Sequence, residues 1–287
     1  MVDITLKNII LIFLLFIMFI ILFSFLTFII SIKPGKWPIE FTPESFDLEY
    51  ENITFETSDG LKLKGWFLPS NKSSNAIIVM HGYPTNKADV LPFSMFLLKK
   101  FNVFLFDFRS FGESEGSYTT AGYKEVKDLE AAVEYLKSRK DVKNIGALGF
   151  SLGASVAIMA KNDNIKAVVA DSAYSNLNNM IEAMYRNFLF FKYPFVQLTR
   201  VYSKIFFGLD PKDINPANDI KNINKPVLII HGEKDSQIPV NEAYILHNAN
   251  KKAELWIVEN ADHGEIYALN KEEYEKKVLE FFEKHLE

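Results

Sequence analysis

Six short, nearly continuous apolar runs constrain the fold of this chain more than any other feature. They are AIIVM (76–80), NVFLFDF (102–108), NIGALGF (144–150), IKAVVAD (165–171), KPVLIIHG (225–232) and AELWIV (253–258). Runs of this kind suit strands buried on both faces of a parallel sheet. Helical patterns separate most of them. In YKEVKDLEAAVEYLKSR (123–139), Val126, Leu129, Ala132, Val133 and Leu136 share one face, and NEAYILHNA and EEYEKKVLEFFEKHL behave alike. Upstream, NITFET and LKLKGWFLP flank Ser58-Asp59-Gly60, the pattern of a β-hairpin. Strands alternating with helices imply right-handed crossovers and a three-layer α/β sandwich on a mostly parallel sheet. One crossover is too long: more than fifty residues lie between Asp171 and Lys225. A stretch of that size inside an α/β domain is usually functional, and residues of about 175–222 are expected to form a helical cap over the carboxyl edge of the sheet.

The other end of the chain follows different rules. From Asn8 to Ile32 there is no charged residue. About 20 apolar residues span a bilayer as a helix, whereas a secretory signal has an apolar stretch of only ~7–15 and a small-residue cleavage site. The run exceeds both lengths and lacks an Ala-x-Ala-like end, so residues 1–33 are expected to be an uncleaved, single-pass membrane anchor. Residues 34–46 read as a linker rich in proline, and 47–287 as the main domain. Lys7 and the amino terminus on one side balance Lys33 and Lys36 on the other, which leaves the side of the membrane open.

The formal net charge is −4, and Asp3 and Lys7 cancel within residues 1–32, so all of it belongs to the remainder. A mildly acidic body gives no reason to expect a nucleic-acid partner. There is no cysteine, which excludes disulfides, thiolate metal sites and cysteine nucleophiles.

Chemistry concentrates around Gly149-Phe150-Ser151-Leu152-Gly153, which follows a strand pattern and precedes the small-residue helix LGASVAIMA. That context is the one a nucleophile elbow requires. A serine held in a strained turn needs neighbours without side chains two positions away on either side, and the following helix aims its N-terminus at developing negative charge. The hydroxyl needs a base, and the base an orienting acid. Of the five histidines, His263 in ENADHGEI lies just past the last strand, at the carboxyl edge where open α/β sheets carry their sites. Two residues compete as the acid. Asp235 lies in HGEKDSQIP after the strand KPVLII, and Asp171 ends the preceding strand; Asp235 is favoured for its reach toward the next loop. Asp262 adjoins the histidine and is poorly placed to orient its ring. An oxyanion also needs backbone donors: the Leu152 N–H directly after the serine, and the Tyr83 N–H from the loop in IIVMHGYPTNK.

Together HGY, FDFRSFGESEG, GFSLGA, HGEKDSQIP and ADH resemble the serine α/β-hydrolase superfamily, and within it the membrane-anchored α/β-hydrolase-domain proteins and their BEM46-like relatives. The resemblance covers about residues 47–285. It implies an α/β-hydrolase fold with Ser151, Asp235 and His263 as catalytic triad and Tyr83 and Leu152 as oxyanion donors. It also implies that Arg109 and Gly112 shape the floor of the site. The expected function is a membrane-anchored serine hydrolase that cleaves acyl esters through an acyl-enzyme, with no metal or organic cofactor. The expected partners are a small-molecule or lipid ester and the membrane. The aromatics Tyr185, Phe188, Phe190, Phe191, Tyr193, Phe195, Phe206 and Phe207 of the long insertion point to acyl-lipid substrates if they line a pocket, and to simple packing if they do not. Peptidase and thioesterase chemistry use the same triad, and a non-catalytic, membrane-tethered binding module is the rival of a different class.

Overall fold

The computed structural model describes residues 6–286. Eight strands form one sheet in the order β1-β2-β4-β3-β5-β6-β7-β8. They are β1 (Glu51–Glu56), β2 (Lys62–Leu68), β3 (Ala76–Met80), β4 (Asn102–Phe106), β5 (Ile145–Phe150), β6 (Ile165–Asp171), β7 (Val227–Gly232) and β8 (Glu254–Val258). The hairpin β1–β2 joins β4 antiparallel, and every pairing from β4 to β8 is parallel. The helices are α1 (Leu6–Ile32), α2 (Lys87–Val90), α3 (Glu125–Ser138), α4 (Leu152–Met159), α5 (Leu177–Met184), α6 (Lys192–Phe207), α7 (Pro216–Asp219), α8 (Asn241–Ala249), α9 (Ile266–Leu269) and α10 (Lys271–Leu286). This is the three-layer α/β-hydrolase fold, with its mostly parallel sheet, that the rhythm of apolar runs predicts.

The alternation of side chains along each strand divides the core between the two faces of the sheet. On β3, Ala76, Ile78 and Met80 join one apolar cluster with α3, α4 and α8, while Ile77 and Val79 join another with α10. The face of α3 read from the sequence is the buried one: Leu129, Ala132, Val133 and Leu136 are inside. Between β6 and β7 the chain leaves the sheet and builds α5, an irregular 3-10 segment Arg186–Phe191, α6 and α7. Helix α1 is long and apolar enough to cross a membrane by length and composition. It does not stand clear of the rest. The ring of Phe23 meets Phe195, and those of Phe25 and Phe28 meet Tyr202 and Phe206 of α6.

Candidate active site

Ser151 sits between the end of β5 and the first residue of α4, at φ 53° and ψ −109°. Left-handed backbone of this kind is costly for a residue with a side chain and persists only where the surroundings enforce it. They do so here through two glycines. A Cβ on Gly149 would collide with the backbone of Gly153, and one on Gly153 would lie 2.6 Å from the Met80 carbonyl oxygen. Strand and helix therefore cross closer than any other residue allows, and the Ser151 N–H is pinned to the Asp171 carbonyl at 2.8 Å. Leu152 opens α4, so its N–H belongs to the first turn, where backbone donors have no partner within the helix.

Ser151 and His263, 112 positions apart, meet at 3.1 Å between Oγ and Nε2. Nδ1 of His263 is 2.7 Å from Asp235 Oδ2. A carboxylate only accepts, so Nδ1 carries the proton and Nε2 is left to accept from the Ser151 hydroxyl. The other Asp235 oxygen takes the backbone N–H groups of Gln237 and Ile238 at 2.9 and 2.7 Å, which fixes the carboxylate plane. His231, buried at the end of β7, donates from Nε2 to the Ile238 carbonyl at 2.8 Å and braces the same loop. The Phe150 ring lies 5.0 Å from the imidazole and limits its swing.

Asp171, the competing acid, points elsewhere. It accepts from the Tyr274 hydroxyl at 3.0 Å and the Ser172 hydroxyl at 2.9 Å, and burial pushes its carboxyl up to about 6. Asp262 does not touch the imidazole ring, as its position beside His263 suggests, but it has a role that sequence reasoning missed. One oxygen, Oδ1, accepts both the Ser236 N–H at 2.6 Å and the His263 N–H at 2.7 Å. It staples the acid loop to the histidine loop, and these bonds, the Ser236 one first, hold its carboxyl below the usual range.

The loop after β3 reaches the serine from the other side. A Cβ on Gly82 would lie 3.2 Å from Ser151 Cβ, so the chain there passes directly over the nucleophile position, with Tyr83 next. The device that holds it is His81, also missed from sequence. The Phe108 N–H donates to its Nε2 at 3.1 Å, so Nδ1–H donates to the Gly82 carbonyl at 2.6 Å. Complete burial pushes its pKa down and keeps it neutral. A histidine at a strand end followed by glycine is the signal that finds it. Arg109 and Gly112, expected at the floor of the site, are not among the residues lining the cavity. Arg109 instead clamps Asp128 of α3 and Asp59 of the hairpin turn. Gly112, at φ 45°, wraps closely around Asp107, which forms a buried ion pair with Lys87 at 2.6 Å. Both residues brace the loop from behind.

Above Ser151 lies a cavity of about 460 Å³, within the usual range of small-molecule sites. Tyr83, Ser151 and Leu152 form its base, and α5 and α6 supply Leu177, Met180, Ile181 and Phe207. The structure sorts five of the eight aromatics of the insertion into three groups. Tyr185 and Phe195 are buried and stacked on each other. Phe207 faces the cavity. Phe190 and Tyr193, with Leu189, are more than two-thirds exposed at the tip.

Comparison with known proteins agrees with the fold. Residues 107–287 match the model of the prolyl oligopeptidase family. The chain is 28% identical over 249 residues to the uncharacterized protein YqkD of Bacillus subtilis, covering 84% of this chain and 82% of that one. It is 29% identical over 216 residues to protein bem46 of Schizosaccharomyces pombe, covering 71% and 67%. Among solved structures, the Pyrococcus furiosus esterase Pf2001 superposes with a TM-score of 0.76 at 33% identity, over 90% of this chain and 99% of the esterase.

Proposed function

Because the chain belongs to the prolyl oligopeptidase family, within the serine α/β-hydrolase superfamily, we propose that it is a serine esterase acting on acyl esters at a membrane. The observation that carries the reading is the unbroken hydrogen-bond line from Ser151 Oγ through His263 to Asp235 Oδ2. His263 Nε2 takes the hydroxyl proton as Oγ attacks the acyl carbon. The oxyanion is met by the N–H groups of Leu152 and Tyr83. The protonated imidazole, held by Asp235, then returns the proton to the departing alkoxide, leaving an acyl-Ser151 ester and a free alcohol. Water repeats the sequence: His263 takes its proton, hydroxide adds to the acyl carbon, and Ser151 leaves with that proton as the acid is released.

An ester is favoured over a peptide by likeness to the Pyrococcus furiosus esterase and by the apolar cavity over Ser151. Helix α1 supports a membrane setting, with the ester drawn from an acyl lipid. The test is labelling of the full chain with a fluorophosphonate, alongside turnover of p-nitrophenyl esters and aminoacyl anilides. Wild type labels and turns over esters, and Ser151→Ala does neither. Absence of labelling in wild type removes the hydrolase reading and favours a tethered binding module. Preference for anilides moves the substrate to peptides.

A further inference from the structure

Helix α1 carries more than a tether needs. Beyond Asn8, its only polar residues are Ser24, Thr27 and Ser31, and their spacing of three and four places them on one face. All three turn toward the catalytic domain. Ser24 is fully buried, and its hydroxyl lies 3.1 Å from that of Tyr202. Tyr202 also donates to the Ile21 carbonyl at 2.9 Å. Thr27 lies 3.2 Å from the Tyr185 hydroxyl. At the end of the helix the Ile32 carbonyl accepts from the Thr119 N–H at 2.8 Å. Small polar residues that hydrogen-bond across a helix pair are the means by which apolar helices recognise one another. A helix that only anchors has no use for such a face.

The same face closes the cavity. Phe28, Ser31 and Ile32 line the space that opens onto Ser151, opposite Leu177 and Ile181 of α5. Phe28 is only 3% exposed, packed against Phe206 and Phe207. We infer that the last two turns of α1 form one wall of the acyl-binding site, so that the acyl chain of the substrate lies between the anchor and the cap, and Phe28 and Ser31 set the length and bulk it can have. This assignment rests on the esterase reading and adds a specificity role for the anchor.

The test uses the full chain in mixed micelles and two probes, an ethyl and a dodecyl fluorophosphonate, each followed by its second-order rate of labelling. Ser31→Trp, which puts an indole into the cavity, is expected to lower the dodecyl-to-ethyl rate ratio at least ten-fold. Phe28→Ala, which opens the wall, is expected to change the ratio at least three-fold in the opposite sense. Leu14→Trp, on the exposed side of α1, serves as the control for disturbance of the helix and keeps the ratio of wild type. If labelling persists and both cavity variants stay within two-fold of the wild-type ratio, the anchor has no part in the acyl site. If wild type is labelled by neither probe, the esterase reading fails and this assignment fails with it. If Ser31→Trp does not fold, Phe28→Ala decides alone.

Discussion

Asp235 and His263, on consecutive loops at the carboxyl edge of the sheet, share a 2.7 Å hydrogen bond from Nδ1 to Oδ2, while Asp171 one strand away is turned to Tyr274. The relationship decides between two carboxylates that chain order alone leaves in competition. Asp235→Asn is expected to present an amide where His263 needs an acceptor and to lower kcat by roughly 10⁴-fold. Asp171→Asn is expected to stay within a few-fold of wild type. Steady-state kinetics on one p-nitrophenyl ester checks both, and the opposite ranking would move the acid to Asp171.

Asp171 has a separate signature in stability. Its ordinary value is 3.8 and burial lifts it to about 6 in the folded chain. Between those values the folded state holds a proton that the unfolded state has released, so this group's contribution to stability declines as pH rises from about 4 to 6. Asp171→Asn cannot ionise. Its Tm relative to wild type is expected to improve as pH rises from 4 to 7, as followed by thermal denaturation. A gap that moves the other way would mean that the charged carboxylate is stabilised by its two hydroxyl donors.

The staple made by Asp262 acts through the two loops it joins. Asp262→Ala frees the Ser236 and His263 N–H groups, and the geometry between Asp235 and His263 loosens. Misplacement of catalytic groups by about 1 Å costs on the order of 10²-fold, so kcat is expected to fall ten- to hundredfold with KM little changed. Asp262→Asn retains an acceptor oxygen and should recover most of the loss. Equal defects in the two variants would show that the charge, and not the staple, matters.

Removing the His81 side chain tests the oxyanion loop. His81→Leu leaves the Phe108 N–H buried without a partner, a cost of about 1–3 kcal/mol, and leaves the Gly82 carbonyl held by the Thr85 hydroxyl alone. The Tyr83 N–H then loses its fixed position. Loss of one oxyanion donor costs about 10²–10³-fold in kcat, and a fall toward that range is expected. An effect confined to KM would place His81 outside the path to the transition state.

Gly153→Ala tests the crossing of β5 and α4. The added methyl would meet the Met80 and His81 carbonyl oxygens at 2.6 and 2.9 Å, both backbone atoms that cannot step aside. Overpacking of this kind costs about 1–3 kcal/mol or more. A lowered Tm together with slowed fluorophosphonate labelling is expected. A normal Tm would show that the elbow has slack.

The fold was legible because strands buried on both faces write themselves as unbroken apolar runs; the run at 165–171 coincides with β6 to the residue. Ser151 and His263 were legible because glycine spacing and position after the last strand are local signals. The supports were not. Asp262 and His81 act through backbone groups brought together only by folding, and Arg109 found its carboxylates on α3 and the hairpin. Nor does an apolar helix announce what it will pack against. Ser24, Thr27 and Ser31 carried that information in their spacing, and they read as incidental within so apolar a stretch.

The contact of Phe16 with Phe191 at one end and of Phe28 with Phe207 at the other means that α1 and α6 run side by side in the same direction. Twelve residues of α1 separate those contacts, about 18 Å at 1.5 Å per residue. Among the described residues of α1, 6–15 precede the paired stretch, about 15 Å, against a hydrocarbon core of about 30 Å. An α1 that crosses a bilayer therefore draws the tip of the cap, with Leu189 and Phe190, beneath the surface of one leaflet, where Lys192 is paired with Glu182 at 3.4 Å. An enzyme seated that way meets its ester in two dimensions. Its rate follows the mole fraction of substrate among the lipids and not the amount per volume, so diluting the leaflet with inert lipid slows turnover even when every substrate molecule remains in the tube.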